Sequence, residues 1–459
     1  MAIPWTRRLS IIHNTPLPRA QIARRFSSTS SQYQKLRVNP ARLLSDLHHT
    51  CQWGTGARWG TAPTETGMSR LALSDADRKA RDWFVETTKS LGCTITIDEM
   101  GSIFAVRPGR KTGAATFAGS HLDTQPSGGR YDGILGVLAG VEMLKVLNEN
   151  KVETEYPVGV INWTNEEGAR FPISMVASGV WADKTPLQTA HNLMEIGGKA
   201  TQKSELQRIG YLGSTPASHK SMPIAAHFEL HIEQGPILEQ ERRKIGVVLG
   251  AQSYRWYTVE VTGRDCHTGT TPLAARADAM LAASKMIVES NRIASSLSGL
   301  ASTGVLTLTP GSVNTVPGTV RFSLDIRARQ DDIVDAIEAE VKASFVQLAQ
   351  PCSVEIQRDF TSPAIEFDKN CISCIHEAAQ SLFTTRTEEL TKEMVSGAGH
   401  DSVNTNYICP TAMIFIPCKE GVSHNPREYS EPEDCAIGAD VLLNSILNYD
   451  KLRASKASS

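Results

Sequence analysis

No acidic residue precedes Asp46, although Arg7, Arg8, Arg19, Arg24, Arg25, Lys35, Arg37 and Arg42 all lie before it. With the hydroxyl-rich run Ser27-Ser28-Thr29-Ser30-Ser31, this composition is that of a mitochondrial presequence, so residues 1–38 are set apart from the fold. Long apolar runs are also missing; none approaches the roughly 20 residues that span a bilayer. The nine cysteines are odd in number and scattered, which excludes a disulfide framework and predicts free thiols in a reducing compartment. Cys371-Ile-Ser-Cys374 has no second pair, and His376 falls one residue too late for haem attachment. A net charge of −2 argues against nucleic acid or an anionic membrane as partner. Gly-x-Ser-x-Gly, Gly-x-x-x-x-Gly-Lys-Ser/Thr and Gly-x-Gly-x-x-Gly are absent, which removes three common routes to hydrolysis or nucleotide binding.

What remains is a chain of 459 residues, long enough for two folded units. From about Asn39 strands and helices alternate: a helix over 80–90, strands over 94–97, 114–119 and 158–163, and an apolar helix opened by Asp132. The polar clusters follow strands, which is how an α/β sheet presents side chains at its carboxyl edge. Residues 251–367 read as strand, helix, two strands, helix, strand, the ferredoxin-like order. The α/β pattern resumes over 368–459, with a helix near 372–382 and a strand over 412–416. The predicted architecture is therefore an α/β domain (39–250 and 368–459) with a central mixed sheet flanked by helices, interrupted by an α+β insert. The stretch 187–223 reads as mostly loop with one weak helix.

Five separated segments place carboxylates or imidazoles beside glycines: Ser120-His121-Leu122-Asp123, Arg130-Tyr131-Asp132-Gly133, Glu166-Glu167-Gly168, His231-Ile232-Glu233-Gln234-Gly235-Pro236, and Ser423-His424-Asn425-Pro426. Each alone is a weak signal. In this order they resemble the aminoacylase/carboxypeptidase-type two-metal hydrolases over about residues 40–447. His-Leu-Asp-Thr-Gln-Pro (121–126), His-Ile-Glu-Gln-Gly-Pro (231–236), Asp265-Cys266-His267-Thr268-Gly269 and Ser396-Gly397-Ala398-Gly399-His400 are most similar to the N-carbamoyl-amino-acid hydrolases. The Thr124-Gln125-Pro126 variant leans toward the yeast-type β-ureidopropionases.

The resemblance implies His121, Asp132 and His231 as ligands of one divalent ion, and Asp132, Glu167 and His424 as ligands of a second. Two imidazoles or an imidazole with carboxylates suit Zn²⁺ best, with Mn²⁺, Co²⁺ or Ni²⁺ able to use the same set. Glu166, beside a ligand but not one itself, suits a general base. Asp123, two residues from His121, is expected either to orient that imidazole as an acceptor or to cap a turn after the strand. Arg327 and Asn314 in the insert are expected to bind a substrate carboxylate, and the resemblance implies that Gln234, Gly399 and His400 hold the ureido end and the carboxylate. His267 is expected to donate to the developing oxyanion, from a partner subunit in a homodimer formed through the insert. The expected chemistry is hydrolysis of an N-carbamoyl-amino acid. Allantoate or dipeptide hydrolysis in the same fold is the alternative, and a metal-dead binding protein a third.

Overall fold

The computed structural model describes residues 36–457, so the acid-free segment lies almost wholly outside the described residues. The first sheet has nine strands. Its central four, Thr411–Ile416, Ile224–Ile232, Ala115–His121 and Val158–Trp163, are mutually parallel neighbours in that order. Antiparallel strands extend it on both sides: Ile103–Arg107 and Thr94–Ile97 beyond Val158–Trp163, and Ile245–Ala251 beyond Thr411–Ile416. The sheet is thus mixed. Every residue of Ala115–His121, Val158–Trp163 and Thr411–Ile416 is buried, as expected of strands covered on both faces.

The helix Ile134–Glu149 packs against this sheet with most of its length buried, and its one charged stripe, Glu142, Lys145 and Glu149, pairs with Arg42 and Asp46. The helix expected from residue 80 begins at Asp75, where the Ser74 hydroxyl accepts the Asp77 N–H and satisfies a first-turn donor. Over 187–223 there are two short helices rather than one, Leu187–His191 and Gln202–Ile209.

The second sheet takes its strands from Ser253–Ser362 in the order Leu300–Ser302, Thr319–Ala328, Ser253–Thr262, Ser353–Ser362, with Leu306–Thr309 also paired to Thr319–Ala328. Helices Ala279–Ser296 and Asp331–Ala349 cover one face of it. Alternation along Ser253–Thr262 sends Tyr257, Val259 and Val261 toward those helices and Trp256 and Glu260 to the opposite face. The core between sheet and helices is its own cluster, including Val320, Phe322, Ile337 and Phe345. Even so, residues from Arg37 onward form one compact unit. The chain enters and leaves the insert side by side, with Ile365 paired to Ala251 and Ser362 to Tyr254.

All nine cysteines are free thiols, Cys371 and Cys374 among the buried ones. No helix among the described residues is long and apolar enough to cross a membrane.

Candidate active site

The parallel strands end on one edge, and the predicted ligands collect there. His121 closes Ala115–His121, His231 lies one residue from the end of Ile224–Ile232, and Glu166 and Glu167 follow Val158–Trp163. Asp132 sits just before the helix Ile134–Glu149, and His424 in the loop after Thr411–Ile416. The two groups His121/Asp132/His231 and Asp132/Glu167/His424 each bring their donor atoms within 4.8 Å of one another.

Asp132 is shared, and its two oxygens divide the work. Oδ1 lies 3.0 Å from His231 Nε2 and 3.6 Å from His121 Nε2. Oδ2 lies 3.4 Å from His424 Nε2 and accepts from Gln234 Nε2 at 2.7 Å and Ser423 Oγ at 3.1 Å. Glu167 Oε2 completes the second group, 3.4 Å from His424. The helix N-terminus behind Asp132 depends on Gly133, whose φ is +67° and where a Cβ would stand 2.3 Å from the His121 ring. Only glycine fits that turn.

Backbone carbonyls orient the imidazoles. His121 Nδ1 donates to the Asp123 carbonyl and His231 Nδ1 to the Ile232 carbonyl, each at 2.8 Å. With the proton held on Nδ1, both Nε2 lone pairs face Asp132, the tautomer a cation needs. Of the two expectations for Asp123 the turn-capping one holds for its carboxylate, and its main chain, not its carboxylate, steers His121. The carboxylate instead accepts the Glu166 and Glu167 N–H groups at 3.3 Å, fixing the turn that carries both. Gln125 holds Glu167 through its side chain at 2.7 Å and its backbone at 3.2 Å.

The electrostatics favour added positive charge. Burial raises Glu166 well above the ordinary range, against the attraction of His121, and Asp401 and Glu167 add to the rise. Glu167 is pushed up to about 7 by burial and by Asp132. Burial opposes ionisation of Asp132 too, but His231 and then His121 hold it well below the usual carboxylate range. The hydrogen bond to Asp132 raises His424 to about 9. A crowd of buried carboxylates around correctly presented imidazoles fits a pair of divalent cations. Glu166 is spare, its Oε2 3.5 Å from His121 Nε2 and belonging to neither ligand group.

A cavity of about 220 Å³ opens over this cluster, and the second sheet forms its far wall with Tyr254, Trp256 and Arg327. Gln234, Gly399 and His400 line it as well. His400 is buried, accepts or donates with Ser396 Oγ at 3.0 Å, and is pushed down to about 3 by burial and by His231. Arg327 donates to the Gly397 carbonyl at 2.7 Å and pairs with Asp325 at 2.7 Å, its guanidinium 4.9 Å above the Tyr254 ring.

His267 and Asn314 are not brought to this cavity. They are neighbours on an exposed ribbon where Cys266–His267 pairs with Thr315–Val316 and Thr268 N–H bonds the Asn314 carbonyl at 3.1 Å. The expectation that Asn314 holds the same carboxylate as Arg327 is therefore not met in this cavity, which Arg327 lines and Asn314 does not. Glu428, absent from the sequence reading, is buried against the Asp132 turn. Its signal would have been an acidic residue four positions after His424, too common a pattern to notice.

Two ligand groups that share Asp132, with the spare carboxylate of Glu166 beside them, are suited to adding water across a polarised bond. The chain is a hydrolase of non-peptide C–N bonds, an amidohydrolase. It belongs to peptidase family M20/M25/M40, whose model matches residues 117–448. It is 38% identical to the N-carbamoyl-L-amino-acid amidohydrolase of Rhizobium meliloti over 90% of this chain and 96% of that protein. It is 33% identical to the ureidoglycolate hydrolase of rice, Oryza sativa subsp. japonica, over 82% of this chain and 79% of that protein. Among solved structures, a hydantoinase/carbamoylase family amidase from Burkholderia multivorans matches at 41% identity and TM-score 0.81, covering 90% of this chain and 98% of that one.

Proposed function

We propose that the protein hydrolyses the carbamoyl C–N bond of an N-carbamoyl-amino acid, giving the amino acid, CO₂ and ammonia. The observation that carries this reading is the cavity itself. One wall holds a carboxylate shared between two ligand groups with Glu166 spare beside it, and the facing wall holds Arg327. His121, Asp132 and His231 would hold one divalent ion and Asp132, Glu167 and His424 another, with Zn²⁺ the best match to the donors. Bound there, the ions would supply an acidified water and a polarised carbonyl.

The chain's own residues do the rest. Arg327 forks the substrate carboxylate and sets how far the ureido group reaches toward the opposite wall. Gln234 and the Gly399-His400 segment bind the ureido end. Glu166 takes a proton from water as its oxygen joins the carbamoyl carbon, then delivers that proton to the departing nitrogen as the C–N bond breaks. The carbamic acid left over falls apart to CO₂ and ammonia. His267 and Asn314 complete the site of a second copy, in a homodimer formed through the insert; both are exposed and neither lines this chain's own cavity, which supports that reading. The acid-free terminus directs the chain to mitochondria, and a fluorescent fusion of residues 1–45 that stays cytosolic would remove that part.

The rice relative supports a second reading, hydrolysis of a ureidoglycolate- or allantoate-type acid. The deciding experiment is ammonia release by metal-loaded enzyme from N-carbamoyl-L-α-amino acids, N-carbamoyl-β-alanine, ureidoglycolate and allantoate. Turnover of the N-carbamoyl acids supports the first reading, and turnover confined to the last two establishes the second.

A further inference from the structure

The second sheet turns its helix-free face toward the ligand cluster, and that face is aromatic. Strand register places Tyr254 opposite Arg327 and Trp256 opposite Asp325. On the other side of Ser253–Thr262 the register of Ser353–Ser362 shifts between Arg358 and Phe360, so that Phe360 pairs with Trp256. That irregularity has a consequence for facing. In an unbroken ladder Asp359 would oppose Trp256, and Phe360 would oppose Arg255 on the helix side. The bulge instead sets Phe360 beside Trp256, ring centroids 5.2 Å apart, with Tyr254 within 5.6 Å of both.

Trp256 and Phe360 are 41% and 42% exposed, and among the described residues they are the only exposed Trp and the only exposed Phe. Two large aromatic side chains left open to solvent, adjacent to each other and to the one arginine of the cavity, form a surface that gains by being covered. Tyr254 and Trp256 line the same cavity as the ligand residues. An acid whose carboxylate lies on Arg327 and whose ureido carbon lies at the Asp132 edge carries any α-substituent between these two points, along this wall.

We infer that the Tyr254–Trp256–Phe360 wall is a side-chain subsite, and that the preferred substrates are N-carbamoyl-α-amino acids bearing an aromatic or large aliphatic side chain. This rests on the reading that N-carbamoyl acids are substrates, and narrows it. N-carbamoyl-β-alanine has no side chain and would leave the wall bare, while the second ureido group of allantoate would be set against rings that offer it little to hydrogen-bond.

The test is kcat/KM of the metal-loaded holoenzyme, by ammonia release, for N-carbamoyl-glycine, -L-alanine, -L-leucine, -L-phenylalanine and -β-alanine. The same series is run on Trp256→Ala and Trp256→Phe; Trp256 is half open to solvent, so neither change empties a core. The wild-type value should rise along the α series, by roughly tenfold or more from glycine to phenylalanine, the scale of a filled apolar pocket. Trp256→Ala should remove most of that ratio and Trp256→Phe should keep most of it. A flat wild-type series, or a Trp256→Ala variant that lowers every substrate by one common factor, overturns the subsite and leaves N-carbamoyl hydrolysis standing. Ammonia from none of the five overturns both.

Discussion

A single oxygen of Glu428, Oε1, accepts the backbone N–H of Asp132 at 3.0 Å, and takes that of Tyr131 at the same distance. Its other oxygen accepts the Ser423 hydroxyl at 2.9 Å. The carboxylate therefore ties the turn carrying the shared ligand Asp132 to the loop carrying His424. Replacing Glu428 with Ala strands two buried N–H groups, each worth about 1–3 kcal/mol when unsatisfied. Glu428→Ala should lower Tm and lose divalent metal on dialysis, while Glu428→Gln, which keeps the Oε1 acceptor, should lose less of both. Calorimetry and elemental analysis read the two effects separately. Wild-type Tm and metal content in Glu428→Ala would show that the turn holds itself.

Glu166→Gln should retain metal and substrate affinity while turnover falls by roughly two to four orders of magnitude, the usual worth of a positioned general base. Glu166 belongs to neither ligand group, so its neutral replacement takes nothing from them. Loss of bound metal in this variant would make Glu166 a ligand and reverse its assignment with Glu167.

Arg327 already has Asp325 and the Gly397 carbonyl as partners, so it is positioned before substrate arrives. Arg327→Ala should raise KM and lower kcat/KM by roughly tenfold to a hundredfold, the scale of a lost charge-assisted hydrogen-bond pair. The carboxamide analogue of the substrate should be poor for wild type and lose little further in the variant. Equal use of acid and amide by both enzymes would reduce Arg327 to a structural tether between the sheets.

Asp98 supplies a pH-dependent test away from the site. Its Oδ1 accepts the Met100 and Ser102 N–H groups at 2.9 and 2.8 Å, Oδ2 is buried without a partner, and burial pushes the carboxyl up to about 7. A carboxyl that binds its proton more tightly folded than unfolded stabilises the fold at low pH. That contribution is lost as pH rises from about 4, the unfolded value, to about 7. Asp98→Asn keeps Oδ1 as acceptor and cannot ionise. Its Tm relative to wild type should become more favourable between pH 5 and pH 8; a difference that does not change with pH would mean that Asp98 stays ionised throughout.

The ligand set was legible because each member lies in a short polar run within four residues of a glycine, and the runs taken together in order carry the family resemblance. The ferredoxin-like order of the insert was legible for a similar reason: alternation along Ser253–Thr262 is nearly unbroken. What could not be read depended on direction or on distance. Whether Asp123 meets His121 by its carboxylate or its carbonyl depends on how the loop turns after the strand, which residue type does not record. Glu428 meets its partners across nearly 300 residues of chain. The helix Pro432–Lys456 was missed altogether, because it is buried on several sides and its apolar residues trace no single stripe. His267 and Asn314 were read as site residues from the resemblance, and pairing of their two short strands holds them together on an exposed ribbon that does not line the cavity.

The two crossings between the sheets are not independent tethers. Ala251 pairs with Ile365 and Gly250 with Glu366, and the Ser253 hydroxyl bonds the Ser362 carbonyl at 3.2 Å. They are so close that a Cβ on Gly250 would stand 1.9 Å from the Ile365 carbonyl oxygen. Two hydrogen-bonded strands make a flat strap, which bends across its face and resists shear within its plane. A swing of the inserted sheet about this strap would have one axis, and would carry Arg327 and Trp256 relative to Asp132 on a common arc. A strap that moved in this way would refuse a substrate too short or too long to meet both ends of that arc before chemistry began, measuring length as well as bending.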